Sequence, residues 1–372
     1  MKIFPHFLTM SLSAQISELE VLNPVRTSTD TWFEVCREDL IFWNERLMAS
    51  DASLYQYPFW NEPYRELWLR PQYLAWGSKD DPRTFICILT VGFGRLKIGL
   101  AFRGPTFLQP GGAPREALAS LVDWARRNGY MFIRFTHSDP QVLSELGSAV
   151  HCEDFDAFPY FLDYPVQSPD YIVRQYESEE ETLGSFDREV RRKLRRAKEM
   201  GYEFRSEDSP EALKTAWQLY EDCARRKHFR LERPLSVYME TVKLAGAQNC
   251  ARLYSVNLNG RTVGSTLVFR DRTTAHCVLA AFHAEHRHAA VLLHWHAMRD
   301  MYRLGASRYN MGPGPGSLAR FKQQFCEHPT AYPGAVTAVF QESLYKWWKK
   351  AIFPVAKGLR PTLRRIVSRV KR

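Results

Sequence analysis

The chain has 372 residues, 45% of them apolar and 13% aromatic, which suits two packed domains and not a disordered protein. No apolar window approaches the ~18 residues needed to cross a bilayer, and Pro5 and His6 interrupt the N-terminal apolar stretch, which argues against a signal peptide. The net charge of +10 is uneven: residues 343–372 hold ten basic and no acidic residues, so residues 1–342 sum to zero.

In chain order, residues 12–25 alternate weakly and predict a first strand. Thr29 or Asp30 can cap a helix running to Arg46, with Trp32, Phe33, Cys36 and Leu40 on one face. Residues 54–60 read as an aromatic loop. Strands are predicted over 73–77, 84–93 and 96–102, the last leading into the turn Arg103-Gly104-Pro105. A helix over 113–128 ends at Gly129. A strand over 130–135 runs into Thr136-His-Ser-Asp-Pro.

Residues 163–174 read as a linker or strand. Between residues 188 and 198, seven of eleven side chains are basic, while Phe186, Val190, Leu194 and Ala197 recur at three- to four-residue spacing. That pattern predicts a helix with one apolar seam and a dense cationic face, stopped by Gly201. Such a face is a solvated charged surface, a targeting signal or a polyanion contact. A strand over 201–206 follows, then a helix over 211–227 capped by Ser209-Pro210, and a helix over 236–245. Strands 251–258 and 262–270 form a hairpin across Asn259-Gly260. A strand over 273–282, a helix over 289–304 ending at Gly305, and a strand over 307–311 lead into Gly312-Pro-Gly-Pro-Gly. The sequence "helix, glycine, strand" therefore occurs at Gly129 and again at Gly305, 176 residues later. We expect two copies of one α/β unit, each with a mixed, mainly antiparallel sheet and flanking helices.

Several pieces together resemble the Fem family of aminoacyltransferases and related acyltransferases. They are Phe102-Arg-Gly-Pro105 and Ile133-Arg-Phe-Thr-His-Ser-Asp-Pro140 in the first half. In the second half they are Arg191-Arg-Lys-Leu-Arg-Arg-Ala-Lys-Glu-Met-Gly201, Cys223-Ala-Arg-Arg-Lys-His-Phe229, Gly305-Ala-Ser-Arg-Tyr-Asn-Met-Gly312 and Phe321-Lys-Gln-Gln-Phe325. The resemblance implies two tandem GNAT-like domains, over residues 1–165 and 166–340, followed by a basic amphipathic tail over 341–372. It implies attack by an amine on an activated acyl group. The donor would be an aminoacyl-tRNA or, in the wider branch, an acyl-CoA, with no tightly bound cofactor. The acceptor would be an amine on a nucleotide-linked or lipid-linked cell-wall precursor. Only about fifty residues separate Gly201 from Ala251, so the long helical arm of some Fem proteins is absent. Two other readings stay open: an acyl-CoA-dependent N-acyltransferase acting on a polysaccharide or lipid-linked glycan, and a non-catalytic binder of RNA or anionic lipid.

Amide formation from an acyl donor needs a neutral amine, a donor carbonyl held beside it, and positive or N–H character where oxyanion charge develops. No Ser-His-Asp or Cys-His arrangement follows from spacing. By resemblance, Lys322 faces the donor, Arg226 lines the acceptor groove, and Arg103 and Asp139 lie in matching first-domain motifs. Asp139 is also an ordinary turn-former before Pro140. Tyr309 and Phe321 belong to the matching second-domain pieces. Arg191, Arg192, Arg195 and Arg196 are candidates for phosphate contacts. The turn Glu285-His-Arg-His-Ala-Ala-Val lacks the glycines with which CoA-binding GNAT enzymes cradle a pyrophosphate, leaving Arg287 and a helix N-terminus for that task.

The five histidines between His283 and His296 have no cysteine or carboxylate partner at ligand spacing, so no metal site is expected. The Gly312–Gly316 run lacks a P-loop ending. Seven scattered cysteines without a Cys-x-x-Cys pair suit reduced thiols in the cytoplasm. In the tail, Trp347 and Trp348 with the surrounding lysines and arginines predict peripheral attachment to an anionic inner-membrane surface. The other reading is a helix docked on the first domain with a basic end.

Overall fold

Alternating and continuous apolar runs become strands, and the two helix–glycine–strand stretches become the crossovers around which both halves are built. The computed structural model describes residues 30–92, 96–109, 115–153, 169–229, 231, 233–314, 316–326 and 328–352. The strand expected over 12–25 and the tail beyond residue 352 lie outside them.

The first half contains β1 (Thr31–Glu34), α1 (Leu40–Met48), α2 (Pro58–Asn61), β2 (Arg70–Gly77), β3 (Pro82–Val91), β4 (Lys97–Ala101), β5 (Thr106–Phe107), α3 (Arg115–Arg127), β6 (Tyr130–Thr136), α4 (Pro140–Ala149) and β7 (Cys152–Glu153). The second contains β8 (Ile172–Arg174), α5 (Glu179–Gly184), α6 (Arg188–Glu199), β9 (Glu203–Ser206), α7 (Pro210–Lys227), α8 (Leu235–Gly246), β10 (Ala251–Leu258), β11 (Arg261–Arg270), β12 (Thr274–Phe282), α9 (Arg287–Arg303), β13 (Arg308–Asn310) and α10 (Gly316–Gln323). The chain then adds β14 (Ala335–Val339) and α11 (Glu342–Trp347).

One sheet has the order β1-β2-β3-β4-β6-β14-β7, with β5 on β3; the other has the order β8-β13-β12-β11-β10-β9. Pairing is antiparallel except at β4·β6 and β12·β13, the two pairs joined by a crossover helix. Gly129 and Gly305, with φ of +76° and +97°, end α3 and α9 in the left-handed conformation that a side chain disfavours.

Three expectations change. Residues 31–46 do not make one helix. Trp32 lies in a strand paired with β2, and its Nε1 donates to Ala117 O in α3 at 2.9 Å. Helical spacing starts only at Leu40, where Leu40, Trp43 and Leu47 turn inward. Residues 54–60 are not a loop but short buried helical turns, with Tyr57 wholly enclosed. The third change concerns residues 335–340, expected within the second domain. Here β14 returns to the first sheet, where Ala335–Val339 pairs with β6 and covers an otherwise open edge. Behind it Tyr345 and Trp348 pack on Phe132, with ring centroids at 5.2 and 5.0 Å. Trp348 is thus core, while Trp347 is exposed.

One face of the first sheet packs on α3 and α4 through Leu74, Trp76, Ile86, Ile88, Ile133 and Phe135. Its other face shares a single core with the second domain, where Phe85 and Phe132 join Trp217, Tyr238, Leu253 and Phe269. The opposite face of the second sheet is closed by α6 and α9.

Candidate active site at the diverging strands of the second domain

The parallel pair β12·β13 holds together for three residues, Thr274↔Arg308, Ala275↔Tyr309 and His276↔Asn310. Beyond His276, β12 continues to Phe282, while the other strand ends at Asn310 and the chain turns away through Gly312, at φ +71°. The strands therefore part, and the space between β12 and the loop after β13 is the candidate acyl cleft. On its other side β12 carries a bulge. Leu267 faces Leu279 and Val268 faces Cys277, so Val278 is an extra residue. A bulge re-aims backbone N–H groups, and here it lies where the neighbouring strand has departed. Such a cleft can seat a carbonyl against backbone donors.

Lys322, on α10, closes the cleft. The spacing of Phe321 and Phe325 predicts an apolar anchor, and both rings pack around buried His294, with centroids at 5.9 and 6.1 Å. This turns Lys322 inward. Its Nζ donates to Met311 O at 2.5 Å, Pro313 O at 2.7 Å and Gly312 O at 3.0 Å. An ammonium has three N–H donors, and all three are used. Burial pushes its pKa down, opposed by Cys277 and then by the charge of Asp170. Lys322 is thus an enclosed positive charge at the loop and not an exposed lysine. Gly312 is held at φ +71°, where a side chain is disfavoured, although a β-carbon there would meet only ordinary contacts, 3.9 Å from Cys277 O and Lys322 Nζ.

Tyr309 is wholly buried, with its hydroxyl 3.2 Å from His294 Nδ1. Burial, with the charge of Lys322 second, drives the His294 pKa down to about 3. The imidazole is neutral and shares a hydrogen bond with the Tyr309 hydroxyl.

At the far end of β12, Arg226 Nη2 donates to Phe282 O at 3.0 Å from the last turn of α7. Five residues on, Arg287 opens α9 and is exposed. The basic helix α6 packs along α9 through Val190, Leu194 and Ala197. Desolvation and then the charges of Arg196, Lys193 and Arg192 lower the pKa of His288, in the first turn of α9. The structure therefore brings the α6 cations beside the α9 N-terminus, whose N–H groups add further positive potential. Of the α6 arginines only Arg192 and Arg196 are shown to act on His288, and Arg192 is held by Glu189 through two 2.8 Å bonds; Arg191 and Arg195 are exposed elsewhere on the helix.

Asp139 and Arg103 flank one turn of the first domain, since His137 Nε2 lies 3.1 Å from Pro105 O. Asp139 caps α4, its Oδ1 accepting from Gln141 N at 2.8 Å. Arg103 points to the second domain, stacked on Tyr332 and 3.9 Å from Asp170. Gly104 lies against Gln56, which would be 2.5 Å from an added β-carbon. Asp170, Tyr332 and the Val278 bulge escaped sequence reasoning. Only the Asn310-Met-Gly312 spacing, an Asx-type turn signal, pointed this way. Among the described residues no group of three or more His, Cys, Asp or Glu is placed to hold a metal ion.

Comparisons with known proteins bear on the fold. Residues 184–323 match the family model of the acetyltransferase (GNAT) domain. Among solved structures the chain is similar to FemX, at 16% identity and a TM-score of 0.72, over 85% of this chain and 98% of that one. It is also similar to the C-terminal domain of a protein named as a lysylphosphatidylglycerol synthetase from Agrobacterium fabrum, at 17% identity and a TM-score of 0.53, over 83% and 93% of the two chains. The L-PGS structure from Bacillus licheniformis gives 14% identity and a TM-score of 0.52, again over 83% and 93%. No curated protein matches the sequence. The cleft-bearing residues 184–323 thus form a GNAT domain, and the chain is an acyltransferase with the fold of FemX.

Proposed function

We propose that the protein transfers an aminoacyl group from aminoacyl-tRNA to an amine of a cell-wall or lipid-linked precursor. The observation that carries this is the placing of the α6 cations Arg192, Lys193 and Arg196 near His288, in the first turn of α9, the helix that follows β12. A polyphosphate backbone suits the exposed arginines Arg191, Arg195, Arg196 and Arg287, and the acyl carbonyl suits the cleft. The acceptor amine attacks the carbonyl, a C–N bond forms, and the donor's C–O bond breaks. The amine's proton is lost, and the leaving oxygen ends as a hydroxyl. Oxyanion charge develops near the Val278 bulge and the fixed charge of Lys322. Arg226 at Phe282, with Arg103 and Asp139 across the domain junction, borders the acceptor side. Tyr309 and Phe321 shape the walls.

A neighbour's name, lysylphosphatidylglycerol synthetase, supports an aminoacyl group joined to a lipid-linked acceptor. No helix among the described residues is long and apolar enough to cross a membrane. The protein works in the cytoplasm, peripherally on the inner membrane face, through the basic residues that follow α11. An acyl-CoA donor is the second reading, favoured by the acetyltransferase family match. The glycine-free turn before α9 supports the first.

The test is a donor trial with purified protein, offering charged tRNA pools or acetyl- and longer acyl-CoA to amine acceptors. Transfer from tRNA alone is expected. Transfer from CoA but not from tRNA overturns the proposal.

A further inference from the structure

Asp170 lies between the domains and is 3% exposed. Its Oδ2 accepts from Asn310 Nδ2 at 2.8 Å and from Tyr332 OH at 3.0 Å, and Arg103 Nη2 stands 3.9 Å away. The Arg103 guanidinium lies over the Tyr332 ring, 3.2 Å from its centroid. The Asp170 backbone exchanges two hydrogen bonds with Thr330, of 3.0 and 2.8 Å, which fixes the main chain from which the carboxylate projects. These contacts form a chain. The carboxylate can only accept, so it orients the Asn310 amide with its NH2 toward Asp170. The amide oxygen then faces the next loop, where Oδ1 accepts from Gly312 N at 2.7 Å. The carbonyls of Met311, Gly312 and Pro313 meet Lys322.

We infer that Asp170 is a positioning residue that couples Arg103 and Tyr332, through Asn310, to the Met311–Pro313 wall of the acyl cleft. A half-satisfied buried network is unstable. Loss of the carboxylate frees the Asn310 amide to rotate and releases the Gly312 N–H. Contact at Arg103 is thereby linked to the geometry at Gly312. Assigning this wall to the acyl group rests on the function proposed above, whereas the coupling itself does not.

Hydrogen exchange read by mass spectrometry tests the coupling in the full chain. Asp170→Ala should speed exchange over residues 310–316 about tenfold while the β10–β11 hairpin keeps its protection. Asp170→Asn, which keeps an acceptor for Asn310, should restore most of it. Arg103→Ala, on the other domain, should speed the same peptide about threefold. Unchanged exchange over 310–316 in Asp170→Ala overturns the inference. If that variant loses hairpin protection as well, Tyr332→Phe decides: faster exchange confined to 310–316 supports the coupling, and unchanged exchange overturns it. In the donor trial, Asp170→Ala should lower kcat with the acceptor KM unmoved, with rescue by Asp170→Asn. A change in KM alone overturns the positioning role. Absence of transfer by the wild type with every donor counts against the proposed function and leaves the exchange result to judge the coupling.

Discussion

Two buried ionisable residues define the site chemically. Lys322 is surrounded by carbonyl oxygens, so its removal leaves three acceptors without their donor. Each unsatisfied buried group costs about 1–3 kcal/mol. Lys322→Met should lower Tm and reduce transfer at least ~100-fold. Lys322→Arg should not rescue it, because a planar fork cannot replace a compact three-way donor. Transfer by Lys322→Met at the wild-type rate would exclude the role. His294 makes a prediction about pH. The unfolded chain takes up a proton there near the ordinary imidazole value of 6.5, and the folded protein only near 3. Stability is therefore complete above about pH 6.5 and declines as pH falls toward 3, by about 2 kcal/mol at pH 5. His296, lowered to about 4 but partly solvated, adds a smaller slope of the same sign. His294→Gln should flatten the dependence of Tm on pH between 6.5 and 5, and an unchanged slope would show that other groups dominate.

The element that matters most is α6. Its buried seam of Val190, Leu194 and Ala197 fixes which side meets α9 and therefore which side shows arginine. Leu194→Ala should cost about 2–4 kcal/mol in denaturant unfolding. The cationic face makes a separate prediction. With Arg191, Arg195 and Arg196 changed to alanine, the slope of log affinity for RNA against log salt should flatten by about 2–3, near 0.7–0.9 per lost phosphate contact. Arg192→Ala alone should do less, since Glu189 already holds that guanidinium. An unaltered slope in the triple variant would remove α6 from the donor path.

The whole molecule is bound together twice, by a core shared between the sheets and by the return of β14 and α11 to the first domain. The lysines of the tail thus follow a tryptophan, Trp348, that is structural. Deleting residues 335–372 should unmask the β6 edge and Phe132 and give aggregated protein. Deleting residues 353–372 should leave Tm unchanged and abolish flotation with anionic vesicles, to which each basic residue near the surface contributes about 1 kcal/mol. Undiminished flotation of the shorter deletion would end the membrane reading.

Sequence alone determined what local spacing encodes. The two crossovers follow from apolar periodicity ending at Gly129 and Gly305, the hairpin from Asn259-Gly260, and the two-sided character of α6 from its seam. Periodicity failed at residues 31–46, where Trp32 gained more by pairing in a strand against α3 than a helix could offer. Tertiary structure alone decided the rest. Asp170 meets Asn310 and Tyr332 across 140 and 162 residues of chain, and β14 crosses back to a sheet begun three hundred residues earlier. No local pattern can mark such partners, because the same aspartate, asparagine and tyrosine would serve equally well on an exposed turn. Only the packing of both sheets on one core brings them together and buries them, and burial is what makes their hydrogen bonds obligatory.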